Sequence, residues 1–333
     1  MLGSLSWATL IALSHEYRVS SALALAVETS SPSDVPAGVD VLLSSLASHM
    51  RRRNERIYKE AIEVAGILNG IGVTPVFMKG GAHLLAGLYP DIAIRQLADL
   101  DILVPATRLD DCVAALNERR IEGLTAYLHP RSHHCQPLGR SDLPVPIELH
   151  HEVLAYPSSS FLTSEEMQSS AGRLTIRGVH VGVPSPTHAV MHCIAHAQLN
   201  DHDHLYGRVD LRGLLDLALL SYHHRNAIDW IQVSRRFSHA GYRLAFGYHV
   251  LWARRLGAEV PAVGRINGFS KLLYRRATFH MRRPKMLSLS VRLIRPLVLL
   301  RRELSDQGLR RRLVGNLLNV DWWKRHLRML TES

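Results

Sequence analysis

Two N-terminal stretches have hydrophobic residues at helical spacing. The first covers residues 1–30, and the second starts near residue 39 and closes at Gly70 and Gly72. Between them, residues 30–36 combine prolines with small polar residues that favour turns. The pattern therefore predicts two helical regions before any strand.

From residue 74 to residue 183 the pattern changes, because short β-prone runs alternate with helical ones. A glycine turn at residues 79–81 is predicted to join the first strand to a helix. The strands are predicted at residues 74–78, 100–104, 145–150 and, as a hairpin turning at Arg177 and Gly178, at 173–183; the helices are predicted at 82–89 and 109–120. This alternation indicates a core that contains a small mixed β-sheet.

Ser185 and Pro186 form a good helix start, since serine caps free N–H groups and proline is favoured at the first helical position. Helical spacing then continues to the end of the chain. We therefore predict an α+β fold with N-terminal helices (1–55), a mixed-sheet core with flanking helices (56–183) and a helical C-terminal region (184–333).

The composition narrows the class of protein. The three cysteines are odd in number and widely spaced, which argues against a disulfide framework or a cysteine-based zinc site. No apolar run approaches the roughly 18 residues of a membrane span, and no basic segment precedes the first apolar stretch as in a signal peptide. We expect a cytoplasmic protein without a membrane span.

The net charge of +11 resides in the segment from residue 265 onward, while the rest of the chain is close to neutral. This basic tail either binds nucleic acid or an acidic partner, or is a solvated helical face. Few aromatic residues are interleaved with its charges, which argues against base stacking. The arginines concerned are Arg282, Arg283, Arg301, Arg302 and Arg310, Arg311 and Arg312.

Two aspartates, Asp99 and Asp101, belong to one predicted strand. Because side chains alternate along a strand, both carboxylates lie on one face and Leu100 and Ile102 point to the other. Carboxylates held this close repel each other unless a cation lies between them, and Mg²⁺ prefers such ligands. An Asp-x-Asp pair alone is more often a solvated turn, so its neighbours decide the interpretation.

Several neighbours fit a metal and phosphate site. Glu148 and His150 share a face of the next strand, so Glu148 can add a third carboxylate. Lys79, Gly80 and Gly81 at a helix start offer an ammonium group and free N–H groups to phosphate. Arg95 either binds phosphate or pairs with a carboxylate.

In their order along the chain, residues 77–81, 88–90 and 99–104, with Arg95 and then 148–150, resemble the uncharacterised nucleotidyltransferase family of the DNA polymerase β superfamily. The resemblance covers roughly residues 55–220 and leaves out the first 50 residues and the basic tail. The gap between the glycines and the aspartates is longer here than in the superfamily's compact motif. An extra helical turn and loop at residues 88–94 accounts for it.

The resemblance implies an enzyme that transfers a nucleoside monophosphate from a nucleoside triphosphate to an acceptor, such as a small molecule, peptide or protein, and releases pyrophosphate. It assigns Asp99, Asp101 and Glu148 to two Mg²⁺ ions, for which Mn²⁺ can substitute. Glu148 can also accept the acceptor's proton. The resemblance assigns nucleotide binding to Lys79, Gly80, Gly81 and Arg95. The alternative is a catalytically silent binding module that uses its basic tail.

The histidines His188, His192 and His196 recur every four residues, so a helix aligns them on one face. Such a row can bind zinc, as in a metallohydrolase, but histidines at this spacing more often pack between helices. A third possibility is that His192 and His196, like His150, border the nucleotide pocket behind the metal ligands. Three nearby charges, on Asp210, Arg212 and Asp216, fit solvated side chains or salt bridges.

Overall fold

The computed structural model describes residues 6–32, 34–119, 133–135, 137–139, 143–264, 266–281 and 283–305. The helices are α1 (Trp7–Glu16), α2 (Ser20–Ser30), α3 (Ala37–Gly70), α4 (Lys79–Leu85), α5 (Leu109–Glu118), α6 (Ser164–Ser169), α7 (Pro186–Ala195), α8 (Asp203–Tyr206), α9 (Leu211–His223), α10 (Trp230–His239), α11 (Arg243–Arg255), α12 (Gly268–Met281) and α13 (Pro284–Ser305). The strands are β1 (Val76–Phe77), β2 (Leu100–Leu103), β3 (Ile147–His150), β4 (Gly172–Ile176) and β5 (Val179–Val183).

The strands form one mixed sheet in the order β3-β2-β1-β5-β4. Strand β2 runs parallel to β3 and antiparallel to β1, while β1 runs parallel to β5. The predicted hairpin of β4 and β5 is confirmed, and Arg177 and Gly178 both have positive φ at its turn, as a tight hairpin requires. The predicted α+β fold with its mixed sheet is confirmed.

Hydrophobic cores cover both faces of the sheet. On one face, the long helix α3 packs Ile57, Val64 and Leu68 in the same cluster as Ile102 of β2 and Leu149 of β3. The other face packs against the helices that follow α6 in a second cluster, which contains Leu103, Met191, Leu214 and Phe237. Alternate residues of β2 therefore enter different cores, as the period of a strand requires. Its polar residue, Asp101, lies on the side of α7.

The predicted helix starts are partly confirmed. Ser185 Oγ caps α7 by accepting from the N–H of His188, and Pro186 is the first helical residue. The prediction of a separate glycine turn at residues 79–81 is wrong. Helix α4 begins at Lys79 itself, and both glycines lie inside its first turn. Close packing explains the two glycines: a Cβ on Gly80 would overlap Leu97, and one on Gly81 would lie 3.1 Å from Leu100.

The N-terminal helices pack on the loop that leads to β2. Residues Ala24, Leu43 and Ala47 of α2 and α3 share a small core with Ala93. Ser21 Oγ donates to the carbonyl oxygen of Ile94 at 3.2 Å. This packing holds α2 beside the segment that carries Arg95 and Asp99.

Helical structure continues from α7 to Ser305, as predicted. The described part of the chain contains no helix that is long and apolar enough to cross a membrane. Of the basic tail, Arg283 precedes α13 and Arg301 and Arg302 fall within it, whereas Arg282 and residues 310–312 lie outside the described residues. Nucleic-acid binding by this tail stays a prediction.

A buried ion pair joins the sheet to the C-terminal helices. Arg95 Nε lies 3.0 and 3.1 Å from the two carboxylate oxygens of Asp216 in α9, and Tyr89 donates to Asp216 Oδ1 at 3.0 Å. Both charged side chains are nearly inaccessible, with 10% and 5% exposed. The prediction of a solvated Asp216 is therefore wrong and that of a salt bridge is right, because α9 presses this carboxylate onto the Arg95 loop.

Removing one member of this pair should be costly, because it leaves the other charge buried without compensation. We expect Asp216→Ala to lower the free energy of unfolding by about 3–5 kcal/mol. The control Asp111→Ala breaks the exposed pair of Arg108 and Asp111 and should cost no more than about 1 kcal/mol. Urea denaturation followed by circular dichroism measures both. Equal losses for the two variants would contradict the structural role of the buried pair.

Candidate active site

Three chemically active side chains meet where β2 and β3 run side by side. The register pairs Asp101 with Glu148 and Leu103 with His150. Ile147 and Leu149 enter the core under α3, so Glu148 and His150 face the opposite side together with Asp101. The predicted third carboxylate therefore lies directly beside the second.

Asp101 is the centre of this group and is only 2% exposed. Its Oδ1 atom accepts hydrogen bonds from Lys79 Nζ at 2.7 Å and from His150 Nε2 at 2.9 Å. The same His150 nitrogen lies 3.7 Å from Glu148 Oε2. His150, which the sequence placed behind the metal ligands, is thus in direct contact with Asp101.

The electrostatics of the aspartates differ. Burial alone would raise the pKa of Asp101, but the Lys79 ammonium and the His150 hydrogen bond outweigh it and hold the pKa well below its ordinary value. The pKa of Asp99 is raised, first by burial and then by the charge of Asp101. Asp99 has no hydrogen-bond or ion-pair partner within the described part of the chain. The charges of Lys79 and Arg212 offset part of this rise, although neither side chain forms an ion pair with Asp99.

This donor set fits a divalent cation. One ligand atom each from Asp101, Glu148 and His150 lies within 4.8 Å of the others, and among the described residues they are the one such group. Carboxylates favour Mg²⁺ and Mn²⁺, while an imidazole favours Mn²⁺ over Mg²⁺. Asp99 lies outside this group of ligand atoms and directly precedes β2, which begins at Leu100.

A cleft of about 450 Å³ opens beside the acidic residues. Its walls come from the loop after α1, the start of α4, the segment before β2 and the segment from α8 to α9. Lys79, Gly80, Arg95 and Asp99 line it, and so do Arg18 and Arg212, which the sequence analysis did not select. The cleft thus brings three of the four predicted phosphate-binding residues to one of the predicted metal ligands, whereas Gly81 is not part of its lining.

The amino-acid sequence matches one known protein family. A model of the family described as "Uncharacterised nucleotidyltransferase" matches residues 3–258. The chain belongs to this family. The resemblance found in the sequence is confirmed, but the match begins at residue 3, so the N-terminal helices are part of the family region.

Other comparisons add little to this family assignment. No protein with a curated description matches the chain. A crystal structure of an antigenic nucleotidyltransferase-like protein from Paracoccidioides brasiliensis matches at 16% identity with a TM-score of 0.31, over 56% of this chain and 92% of the other. A likeness at this TM-score carries no argument about function.

The cations predicted to bind nucleotide in this nucleotidyltransferase family member are already engaged. Lys79 binds Asp101, and Arg95 binds Asp216 and the carbonyl oxygen of Gln96. The sequence left two roles open for Arg95, phosphate binding and pairing with a carboxylate. The structure shows the pairing with a carboxylate. Lys79 has a positive φ of 49°, which is uncommon for a residue other than glycine.

The histidine row of this family member does not converge on a common ligand point. His188 shares a hydrogen bond with Ser185 Oγ at 2.7 Å and lies 3.3 Å from Glu166, and His196 lies 3.3 Å from Asp201. Burial, followed by Lys79 and His196, holds the pKa of His192 well below its ordinary value, so this ring stays neutral. The α-helix ends at Ala195 and His196 opens a π-helical turn, although the rings of His192 and His196 remain 6.1 Å apart, centroid to centroid.

A different histidine cluster lies beside the carboxylates. The rings of His133 and His134 are 5.1 and 5.0 Å from that of His150, centroid to centroid. His134 Nε2 is 3.9 Å from Glu148 Oε2. Burial, then His150 and His134, lower the pKa of His133 to about 3. Sequence reasoning missed this pair, although two adjacent histidines in the loop before β3 were a visible signal.

The contrast between the two aspartates gives a test of this electrostatic picture. Asp101 has a lowered pKa, so its stabilising effect is present above the unfolded carboxyl pKa and is lost as the pH falls. Asp99 has a raised pKa, so its stabilising effect is lost as the pH rises. At pH 7 without divalent cations, Asp101→Asn should lower Tm by at least about 5 °C because Lys79 and His150 lose their partner.

Asp99→Asn is the matched variant, because it removes the same charge two residues away. Its Tm at pH 7 should stay equal to that of the wild type or rise, since the repulsion with Asp101 disappears. Thermal melts in EDTA, followed by circular dichroism, measure both variants. A larger loss for Asp99→Asn than for Asp101→Asn would show that the charges are not arranged as described.

Proposed function

We propose that the protein is a metal-dependent nucleotidyltransferase that transfers a nucleoside monophosphate from a nucleoside triphosphate to an acceptor and releases pyrophosphate. The single observation that supports this most is the contact of Asp101 with Lys79 of α4 and His150 of β3 beside an open cleft. Asp101 and Glu148 are in register, and Asp99 lines the cleft without an ion-pair partner among the described residues. Membership in the nucleotidyltransferase family supports the same reaction class.

Asp99, Asp101 and Glu148 would hold the divalent cations, with Mg²⁺ as the expected ion and Mn²⁺ as a substitute. Divalent ions in such a site, when bound, neutralise phosphate charge and stabilise the attacking and leaving oxygens. The unpaired Asp99 supplies the negative charge that draws a cation to the cleft side. His150 adjoins this set and orients Asp101 through their 2.9 Å hydrogen bond.

The nucleotide would bind at the start of α4. Lys79 can exchange its contact with Asp101 for a phosphate oxygen, since a divalent cation would then compensate that carboxylate. Gly80 and Gly81 leave the first turn of α4 without side chains, so a phosphate can approach the backbone closely. Arg95 adds positive charge to the cleft wall from its fixed position on Asp216.

In the transfer, the acceptor oxygen forms a bond to the α-phosphorus and the bond to the bridging α–β oxygen breaks. The electron pair of that bond leaves with pyrophosphate. Glu148 is the carboxylate proposed to take the acceptor proton, because it lies beside Asp101 and stays ionised at neutral pH. Its interaction with His150, 3.7 Å away, is the main cause of its lowered pKa. The acceptor is a small molecule, a peptide or a protein.

The test is nucleotide transfer with each of the four α-labelled nucleoside triphosphates, Mg²⁺ and cell extract as the source of acceptor. The wild type should release pyrophosphate and label an acceptor with one of them. The double variant Asp99→Asn/Asp101→Asn should lose at least about 100-fold in rate. The control Asp110→Asn/Asp111→Asn makes the same charge change at the exposed start of α5 and should keep wild-type activity.

A catalytically silent binding module predicts another result. It would show neither turnover nor binding with any of the four triphosphates, in the wild type or in either double variant. Equal activity in the wild type and the Asp99→Asn/Asp101→Asn variant would assign the chemistry to other residues and overturn the proposal.

A further inference from the structure

Five basic side chains, from lysine and arginine, line the cleft, and not all of them pair with a carboxylate. Three of its five cations have partners: Lys79 binds Asp101, Arg95 binds Asp216, and Arg208 lies 3.3 Å from Asp203. The other two are Arg18, which follows α1, and Arg212, in the first turn of α9. Within the described part of the chain, neither of these two guanidinium groups makes a hydrogen bond or an ion pair.

Arg212 is half-buried, which makes its lack of a partner informative. Burial lowers its pKa first, and the charges of Arg95 and Arg18 lower it further against the opposing charges of Asp210 and Asp99. A guanidinium that is partly removed from water and faces two other guanidinium groups is destabilised unless an anion binds between them. The local charge therefore suits an anionic ligand.

The acidic residues of the cleft do not supply that anion. Asp203 is nearly inaccessible, and Arg208 already lies 3.3 Å from its carboxylate. Asp201 lies 3.3 Å from His196, and Asp210 Oδ1 accepts from the backbone N–H of Arg212. Glu16 is exposed at the rim. Asp99 is the remaining lining carboxylate, and it belongs to the proposed metal site.

Three charged groups that line the cleft make no hydrogen bond or ion pair within the described part of the chain. Asp99 is negative and Arg18 and Arg212 are positive, and Asp99 and Arg212 interact only through the longer-range attraction of their charges. A divalent cation coordinated to a polyphosphate has the complementary arrangement, because its metal end is positive and its phosphate end negative. Guanidinium groups bind phosphate oxygens in bidentate fashion, which suits both arginines.

We propose that Arg18 and Arg212 form a clamp for the polyphosphate chain of the nucleoside triphosphate. The clamp deepens the proposed nucleotidyltransferase function and rests on it. It gives the N-terminal helices a direct part in substrate binding, because Arg18 lies in the turn between α1 and α2. That turn is held by the hydrogen bonds from Arg18 N to His15 O and from Val19 N to Ser14 O, at 3.0 and 2.8 Å.

The experiment measures binding of inorganic tripolyphosphate in EDTA by isothermal titration calorimetry, which isolates the arginines from the metal site. Arg18→Gln and Arg212→Gln should each raise Kd about 10- to 100-fold, the loss expected for a charge-assisted hydrogen bond. The matched control, Arg235→Gln, removes an exposed arginine of α10 outside the cleft and should leave Kd unchanged. The melting temperature of Arg18→Gln should equal that of the wild type, and that of Arg212→Gln should equal or exceed it, because the half-buried guanidinium is destabilised without an anion.

A Mn²⁺ titration and the transfer assay separate this proposal from the proposed function. Mn²⁺ affinity should stay at the wild-type value in both arginine variants, which would show that the metal site is intact. If the wild type transfers nucleotide and both arginine variants bind tripolyphosphate like Arg235→Gln, the clamp is wrong and the transferase stands. If the arginines bind tripolyphosphate but the wild type transfers no nucleotide, the clamp stands as an anion site and the transferase is wrong.

Discussion

The buried carboxylate of Asp101 is the constraint on which the site depends. A carboxylate at 2% exposure is tolerated only with positive partners, and Lys79 and His150 supply them. Those partners fix neighbouring structure in turn. Lys79 must lie at the start of α4, and His150 must lie on a strand parallel to β2 and in register with it. The acidic strand, the glycine-containing helix start and β3 therefore form one unit.

Long-range contacts assemble the cleft around that unit. The buried pair of Arg95 and Asp216 ties the segment before β2 to α9, which carries Arg212 in its first turn. The hydrogen bond from Ser21 to Ile94 ties α2 to the same segment, close to Arg18. The sheet alone offers carboxylates, whereas the helices before and after it offer cations. A site for a metal and a polyphosphate exists only where these parts meet.

Local patterns predicted the parts of the fold that depend on local physics. Strand alternation predicted that Leu100 and Ile102 enter one core, and the cap at Ser185 predicted the start of α7. The contact of His150 with Asp101 was not predictable in the same way, because strand register depends on pairing across 49 residues of sequence. A one-residue slip would have turned His150 to the other core.

The remaining misses have the same origin. Asp216 was taken for a surface charge or a salt bridge because a helical pattern does not reveal which neighbouring loop will cover it. Arg18 was passed over because the resemblance began near residue 55, although the family match starts at residue 3. The three histidines were predicted to share one face of an α-helix, whereas the α-helix ends at Ala195 and His196 begins a π-helical turn. Each case required knowledge of packing between distant segments.

The central claim is that the carboxylates of β2 and β3 hold divalent cations against a triphosphate in the cleft. A crystal structure with Mn²⁺ and a nucleoside triphosphate analogue with a non-hydrolysable α–β linkage tests it most directly. The account predicts anomalous manganese peaks ligated by Asp99, Asp101 and Glu148, with the phosphates in the 450 Å³ cleft. Manganese bound instead by His188, His192 or His196, or a nucleotide bound away from these carboxylates, would contradict it.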